Sequence, residues 1–272
     1  MSHPPSPAAL GRVLIIAGSD SGGGAGIQAD IKAVTALGGF AATVVTAITA
    51  QNTLGVHGVW PVPLEAVTAQ GEAVLDDIGA DAIKTGMLGD AAVVRAVAAL
   101  IDRAGGAPVV IDPVMVAKGG ASLLAAEAVA ALKAELMPRA RLLTPNAPEA
   151  EALTGLTVVT TDDLRRAGER LLTLGARAVL MKGGHVPGES VIDVLMTADG
   201  ETTFEGPRID TRHTHGTGCT LASACAVGLA QGLSLEAAVA RAWGYVAEAI
   251  RLAPGFGAGH GPLDHAWPVR KA

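Results

Sequence analysis

Short runs of β-branched and other apolar residues alternate along this chain with longer Ala- and Leu-rich stretches of helical periodicity. The first kind falls at 13–17, 42–48, 82–85, 109–112, 141–144 and 178–182 and predicts strands. The second falls at 27–37, 64–76, 91–104, 125–136, 161–174, 217–230 and 235–252 and predicts helices. Strands that are apolar throughout must be covered on both faces, so the pattern predicts an α/β fold with a central, mostly parallel sheet. The stretch 190–205 breaks the rhythm: Asp199-Gly200 stands between two alternating runs and predicts a small edge hairpin.

With 272 residues and 50% hydrophobic content the chain can bury one large core. Residues 12–272 are read as a single domain, following a short proline-rich segment, 1–11, expected to be frayed. A net charge of -6 with no basic stripe argues against nucleic acid as a partner. No window approaches the roughly 18 apolar residues of a membrane helix, and the run at 13–17 is too short for a signal-peptide core. Cys219 and Cys225 lie on different faces of one predicted helix, so no disulfide joins them easily, and a reduced, cytoplasmic chain is expected.

In parallel sheets ligands bind beyond the carboxyl ends of the strands. The unusual polar residues collect there. The first strand runs into Gly18-Ser19-Asp20-Ser21-Gly22-Gly23-Gly24-Ala25-Gly26, whose spacing misses Gly-x-Gly-x-x-Gly, and the second ends in Thr49-Ala50-Gln51 with no acid for a ribose. A nicotinamide oxidoreductase is therefore a distant third reading. So many glycines let backbone approach a flat small molecule, with Asp20 or Asp30 accepting a hydrogen bond from it; Asp20 is equally readable as a helix-start acid. The Gln51 carboxamide can pair with a ring nitrogen beside an exocyclic amine, or satisfy loop backbone. Met87 can lie on a ring face, or pack in the core. Asp112-Pro113-Val114-Met115 follows the fourth strand, with Lys118-Gly119-Gly120 in a loop beyond.

Asn146 and Glu149 follow the fifth strand at a helix start, where their oxygens suit Mg²⁺ held largely through water or, alternatively, form a capping box. Lys182-Gly183-Gly184-His185 puts an ammonium beside a glycine turn after the sixth strand. No Walker-type loop occurs. The last such stretch carries His213, His215 and the turn Gly216-Thr217-Gly218-Cys219 before an apolar helix. Bare amides and the helix dipole can hold an anion there and are expected to lower the thiol pKa of Cys219. The plainer reading is a tight turn with a small buried residue after it. The two histidines lack a third soft ligand and suit loop or supporting roles better than metal binding.

Taken together, Ala17–Asp20, Gly23–Asp30, Ala50-Gln51-Asn52, Lys84–Leu88, Asp112–Met115, Thr144–Glu149, Met181–His185 and His213–Thr220 closely resemble the hydroxymethylpyrimidine/phosphomethylpyrimidine kinases, ribokinase-like enzymes of thiamine biosynthesis. The resemblance implies a three-layer α/β/α sandwich, usually dimeric, which uses ATP and Mg²⁺ to phosphorylate 4-amino-5-hydroxymethyl-2-methylpyrimidine and then its monophosphate. It also implies roles. Gln51, Gly18, Asp30, Met87 and Val114 would surround the pyrimidine; Gly216, Thr217, Gly218 and Cys219 would form the anion hole, with Cys219 as base. Lys182, Gly183, Gly184 and Thr211 would contact the nucleotide, and Asn146, Glu149 and Asp112 would hold Mg²⁺ and its water. Ser21 stands where the family commonly has Pro, and the tail 255–265 resembles a glycine-rich ending near the nucleotide. A pyridoxal/pyridoxine kinase of the same superfamily and a non-catalytic pyrimidine-binding protein are the alternatives.

Overall fold

The computed structural model describes residues 10–115 and 126–270, so most of the 1–11 segment, the Lys118-Gly119-Gly120 loop and residue 125 of the fourth expected helix lie outside the described residues. In chain order the elements are β1 (Arg12–Asp20), α1 (Gly26–Ala36), β2 (Phe40–Asn52), β3 (Gly55–Pro61), α2 (Leu64–Asp77), β4 (Ala82–Thr85), α3 (Ala91–Arg103) and β5 (Val109–Ile111). There follow α4 (Ala126–Ala131), β6 (Leu142–Leu143), α5 (Ala147–Thr154), α6 (Thr161–Thr173), β7 (Ala178–Met181), β8 (Ser190–Thr197), β9 (Gly200–Pro207), α7 (Thr217–Ala230), α8 (Leu235–Arg251) and α9 (Trp267–Arg270).

Among the described residues one nine-stranded sheet has the order β3-β2-β1-β4-β5-β6-β7-β8-β9. The six strands from β2 to β7 are parallel, while β3 at one edge and the β8–β9 hairpin at the other run antiparallel to their neighbours. Strand side chains alternate between faces. Leu14 and Ile16 of β1 therefore join a core with α3, α5 and α6, while Val13, Ile15 and Ala17 join a second core with α1, α7 and α8. Each fully buried aliphatic side chain of this kind stabilises the fold by about 1.5–3 kcal/mol. The sheet is covered on both faces, as the unbroken apolar runs demanded.

Two expectations change. Strand β3 was not foreseen, because its edge sequence Gly-Val-His-Gly-Val-Trp-Pro carries no buried face; the Trp60 ring instead lies over Gly58. The fourth helix is α-helical only to Ala131, then widens into a π-turn over Leu132–Leu136 and tightens over Met137–Arg139, where Pro138 cannot donate the next helical bond. The chain order reverses about β1, which lies between β2 and β4, and a crevice opens beyond the carboxyl ends of these strands at that switch point.

Candidate active site

The crevice has a volume of ≈ 970 Å³ and runs from Gly18 and Gly86 on its floor to Trp243 on α8. Gly18 lies under Met87, whose methyl would stand 2.3 Å from any Cβ added at Gly18. This contact makes Met87 part of the crevice wall rather than of either core. Gln51, Val114 and His215 line the same end.

The glycine-rich loop after β1 is organised by Asp20. Its carboxylate accepts from the amides of Gly22, Gly24 and Ala25 at 2.8–3.1 Å and lies 2.9 Å from the His215 Nε2. Burial alone would raise the Asp20 pKa, but hydrogen bonds with His215, Gln51 and the Ala25 amide outweigh it and hold the group at about 2. Asp20 therefore orders the loop from within the crevice wall. The Gln51 Nε2 also lies 3.3 Å from the His215 ring.

Helix α7 begins at the far side of that loop. Its cap residue Gly216 has φ +84°, a conformation glycine adopts freely, and no side chain caps the first-turn amides. Helix α1, entered at Ala25, also lacks a side-chain cap, unlike α3, α6 and α8, whose caps are Asp90, Thr160 and Ser234. Of the two helix starts that meet in the crevice, that of α7 is left open, while at α1 the Ala25 amide donates to Asp20 and the Gly26 amide to Cys219. Between them stands Cys219, which lines the crevice and receives a hydrogen bond from the Gly26 amide. The expected lowering of its thiol pKa is corrected: burial, with Asp30 and Asp112 acting against Lys84, pushes it up to about 12.

Lys182, after β7, reaches the same corner. Its Nζ lies 3.0 Å from the Asp112 Oδ1 and 3.7 Å from the Glu149 Oε2, and would stand 3.1 Å from a Cβ on Gly218. Burial pushes the ammonium's pKa down, yet Asp112 and Glu149 outweigh this and hold it above the ordinary lysine value. Burial raises the Glu149 carboxyl most; Lys182 offsets part of that, Asp112 adds to it, and the pKa stands at about 7. The capping box forms in full: the Asn146 side chain accepts from the Glu149 amide at 2.9 Å while Glu149 accepts from the Asn146 amide at 2.8 Å. Mg²⁺ typically keeps several waters and takes one or two carboxylates together with phosphate oxygens. Asp112 and Glu149 fit that pattern. The Asn146 side chain, a neutral donor and acceptor beside them, suits the water shell.

Several expected site residues stand elsewhere. Asp30, read as a ring contact, is fully buried behind the crevice and bound by Lys84 and Ser223. Thr211 accepts from the His213 amide and is not in the crevice wall, and Gly183 is buried with its amide on Asp193. Gly184 does line the crevice. The tail 255–265 does not line the crevice itself: its first part lies against Thr53 and His213, with the His260 amide donating to the Thr53 carbonyl, and Pro262 then pairs behind the wall residue His215. Among the described residues no three His, Cys, Asp or Glu side chains group as metal ligands, and His215 contacts Asp20 and Gln51. The residues missed were Lys84, Asp193 and Trp243. Lys84 had a legible signal, a lysine inside an otherwise apolar strand.

The family model for phosphomethylpyrimidine kinase matches residues 20–264. A hydroxymethylpyrimidine/phosphomethylpyrimidine kinase from Streptomyces coelicolor is 51% identical over 269 residues, covering 99% of both chains. The thiamine biosynthesis bifunctional protein ThiED of Geobacter sulfurreducens is 52% identical over 260 residues; the match takes in 96% of this chain but spans only 53% of that longer protein. In structure, a Bacillus subtilis pyridoxal kinase solved as an ADP complex aligns with a TM-score of 0.89 at 35% identity, covering 97% of this chain and 100% of the other.

Proposed function

The chain belongs to the phosphomethylpyrimidine kinase family, and from that premise we propose that it transfers the γ-phosphoryl group of ATP to the hydroxymethyl group of an aminopyrimidine, and then a second phosphoryl group to the resulting monophosphate. What carries this reading is the meeting of the uncapped α7 start, Cys219 and Lys182 above the glycine floor of the crevice. Phosphoryl transfer needs little covalent help from protein; it needs in-line positioning and stabilisation of the equatorial oxygens.

The pyrimidine lies between Gly18, Met87 and Val114, with its polar edge on Gln51. Its hydroxymethyl group points to Cys219. The amides of Gly216 to Cys219 and the Lys182 ammonium hold the transferring group. The hydroxyl oxygen bonds to the γ-phosphorus as the bond to the bridging oxygen breaks, ADP leaves, and the hydroxyl proton passes to the Cys219 sulfur. Burial pushes the Cys219 thiol far above its ordinary pKa, which favours the protonated sulfur in the free protein near neutral pH. The base form is therefore scarce and the rate should depend on pH. Asp112 and Glu149 would hold Mg²⁺ through oxygen and water, and the ion when bound neutralises phosphate charge. A homodimer in the cytoplasm completes the reading.

The test is product analysis by mass spectrometry after incubation with ATP, Mg²⁺ and the pyrimidine alcohol. Sequential mono- and diphosphate are expected; absence of any ATP-dependent product overturns the proposal. The likeness to a pyridoxal kinase favours one second reading, phosphorylation of a pyridine alcohol. Competition between the two alcohols for one limiting pool of enzyme separates them, and the pyrimidine is expected to prevail.

A further inference from the structure

Among the described residues Lys84 is the largest fully buried side chain, set in β4 among Ile83 and other apolar neighbours. Its Nζ lies 2.8 Å from both oxygens of Asp30, and the Ser223 hydroxyl donates to the same carboxylate at 2.7 Å. All three residues have no exposed surface. A buried ion pair of this kind is poor value for stability, because desolvation of both charges offsets their attraction and an apolar pair of equal volume often does as well. Its position suggests a different use.

Ser223 is one turn after Cys219 on α7, so the two share a helix face. A Cβ built on Gly86, on the crevice floor, would stand 3.1 Å from the Lys84 Nζ. The ammonium therefore lies directly beneath the floor, tied through Asp30 to the helix that carries the sulfur. The charged groups around Cys219 are Lys84 from β4, Asp30 from α1, Asp112 after β5 and Lys182 after β7, together with the Gly26 amide. Lys84 exerts the largest of the charge effects on the sulfur and favours the thiolate; Asp30 opposes it more weakly.

We propose that Lys84, anchored by Asp30 and Ser223, is a positioning residue that acts through Cys219: it seats the first turn of α7 against the crevice floor and supplies net positive potential beneath the sulfur. This rests on the kinase reading only for its catalytic consequence. The physical claim concerns the thiol alone.

The test compares wild type with Lys84→Met and with Lys84→Met/Asp30→Asn. Iodoacetamide alkylation of Cys219 is followed from pH 7 to 9.5 by peptide mass spectrometry, with thermal melts alongside. The double variant removes both charges, should melt cooperatively, and should alkylate Cys219 about tenfold more slowly, as a one-unit rise in thiol pKa gives. A folded double variant with an unchanged alkylation profile overturns the proposal. So does loss of the cooperative melt in both variants, which would make the pair structural. Because no nucleotide or pyrimidine enters the assay, its outcome is independent of whether the kinase reading stands.

Discussion

A Cβ added to Gly216 would come within 1.8 Å of the carbonyl oxygen of Gly24. The two glycines belong to separate loops, the first after β1 and the second before α7, and their backbones touch because neither carries a side chain. Gly216 also has φ +84°. Gly216→Ala is therefore expected to force the loops apart, costing at least about 1–3 kcal/mol through backbone strain alone. Phosphoryl transfer should fall at least tenfold. A melting curve and a steady-state assay check both; a variant with wild-type values in each would show that the loops move independently.

Cys219 should impose its own titration. If the Cys219 thiolate takes the substrate's hydroxyl proton, and burial pushes the parent thiol up to about 12, kcat/KM rises with pH across the alkaline range that the protein tolerates, without a plateau. Cys219→Ala should lower kcat by roughly 10²–10⁴-fold with little change in nucleotide affinity. A flat profile in wild type, or full turnover in the alanine variant, removes the base role.

Lys182→Met takes away one cation facing the transferring group. The expected loss is about 10²–10³-fold in kcat. The variant also leaves Asp112 and Glu149 facing each other in a buried corner, so its melting temperature must be measured beside its turnover. Nucleotide affinity and turnover that both match wild type would place the phosphates elsewhere.

Gln51→Ala should weaken pyrimidine binding while leaving ATP affinity unchanged. Titration calorimetry with the pyrimidine alcohol measures this directly, and unchanged affinity moves the ring to another wall of the crevice.

Two buried groups make opposite contributions to stability in acid. His265 is held by burial at about 4 against an ordinary 6.5, so the contribution of its neutral ring is complete above pH 6.5 and is lost as the pH falls toward 4. Glu149, raised from 4.5 to about 7, behaves the other way: its contribution is complete below pH 4.5 and is lost as the pH rises through 7. Between pH 7 and 4.5 the two oppose one another, and Asp193, raised by burial from 3.8 to about 6, acts in the same direction as Glu149. Glu149→Gln keeps the capping geometry and should lower the urea midpoint at pH 4.5 relative to that at pH 7, compared with the same difference in wild type. An unaltered pH dependence in that variant would show that Glu149 titrates normally.

The fold was legible because the central strands are apolar on both faces and the helices between them keep a helical period of apolar positions. Strand β3 was not, since nothing covers its outer side and alternation has no cause there. In the site, residues whose chemistry depends on backbone placement were legible: Gly18, Gly86 and Gly216 to Cys219 follow strands or precede a helix, and topology brings such positions together. Asp30, Asp20 and Glu149 were harder. An acid near a glycine loop looks the same in sequence whether it binds a ligand, caps amides or neutralises a buried lysine, and only contact with Lys84, Gly24 or Lys182 distinguishes them. The thiol of Cys219 was misread because helix-end amides are local in sequence, whereas the desolvation that overrides them is not.

The open start of α7 gives the crevice an attraction made of peptide dipoles. A protein with net charge -6 can in this way welcome a polyanion without a basic surface. Such an attraction carries no proton that pH could remove and no side chain that a single substitution could delete. Only a change of backbone path, of the kind a methyl group at Gly216 would impose, can switch it off.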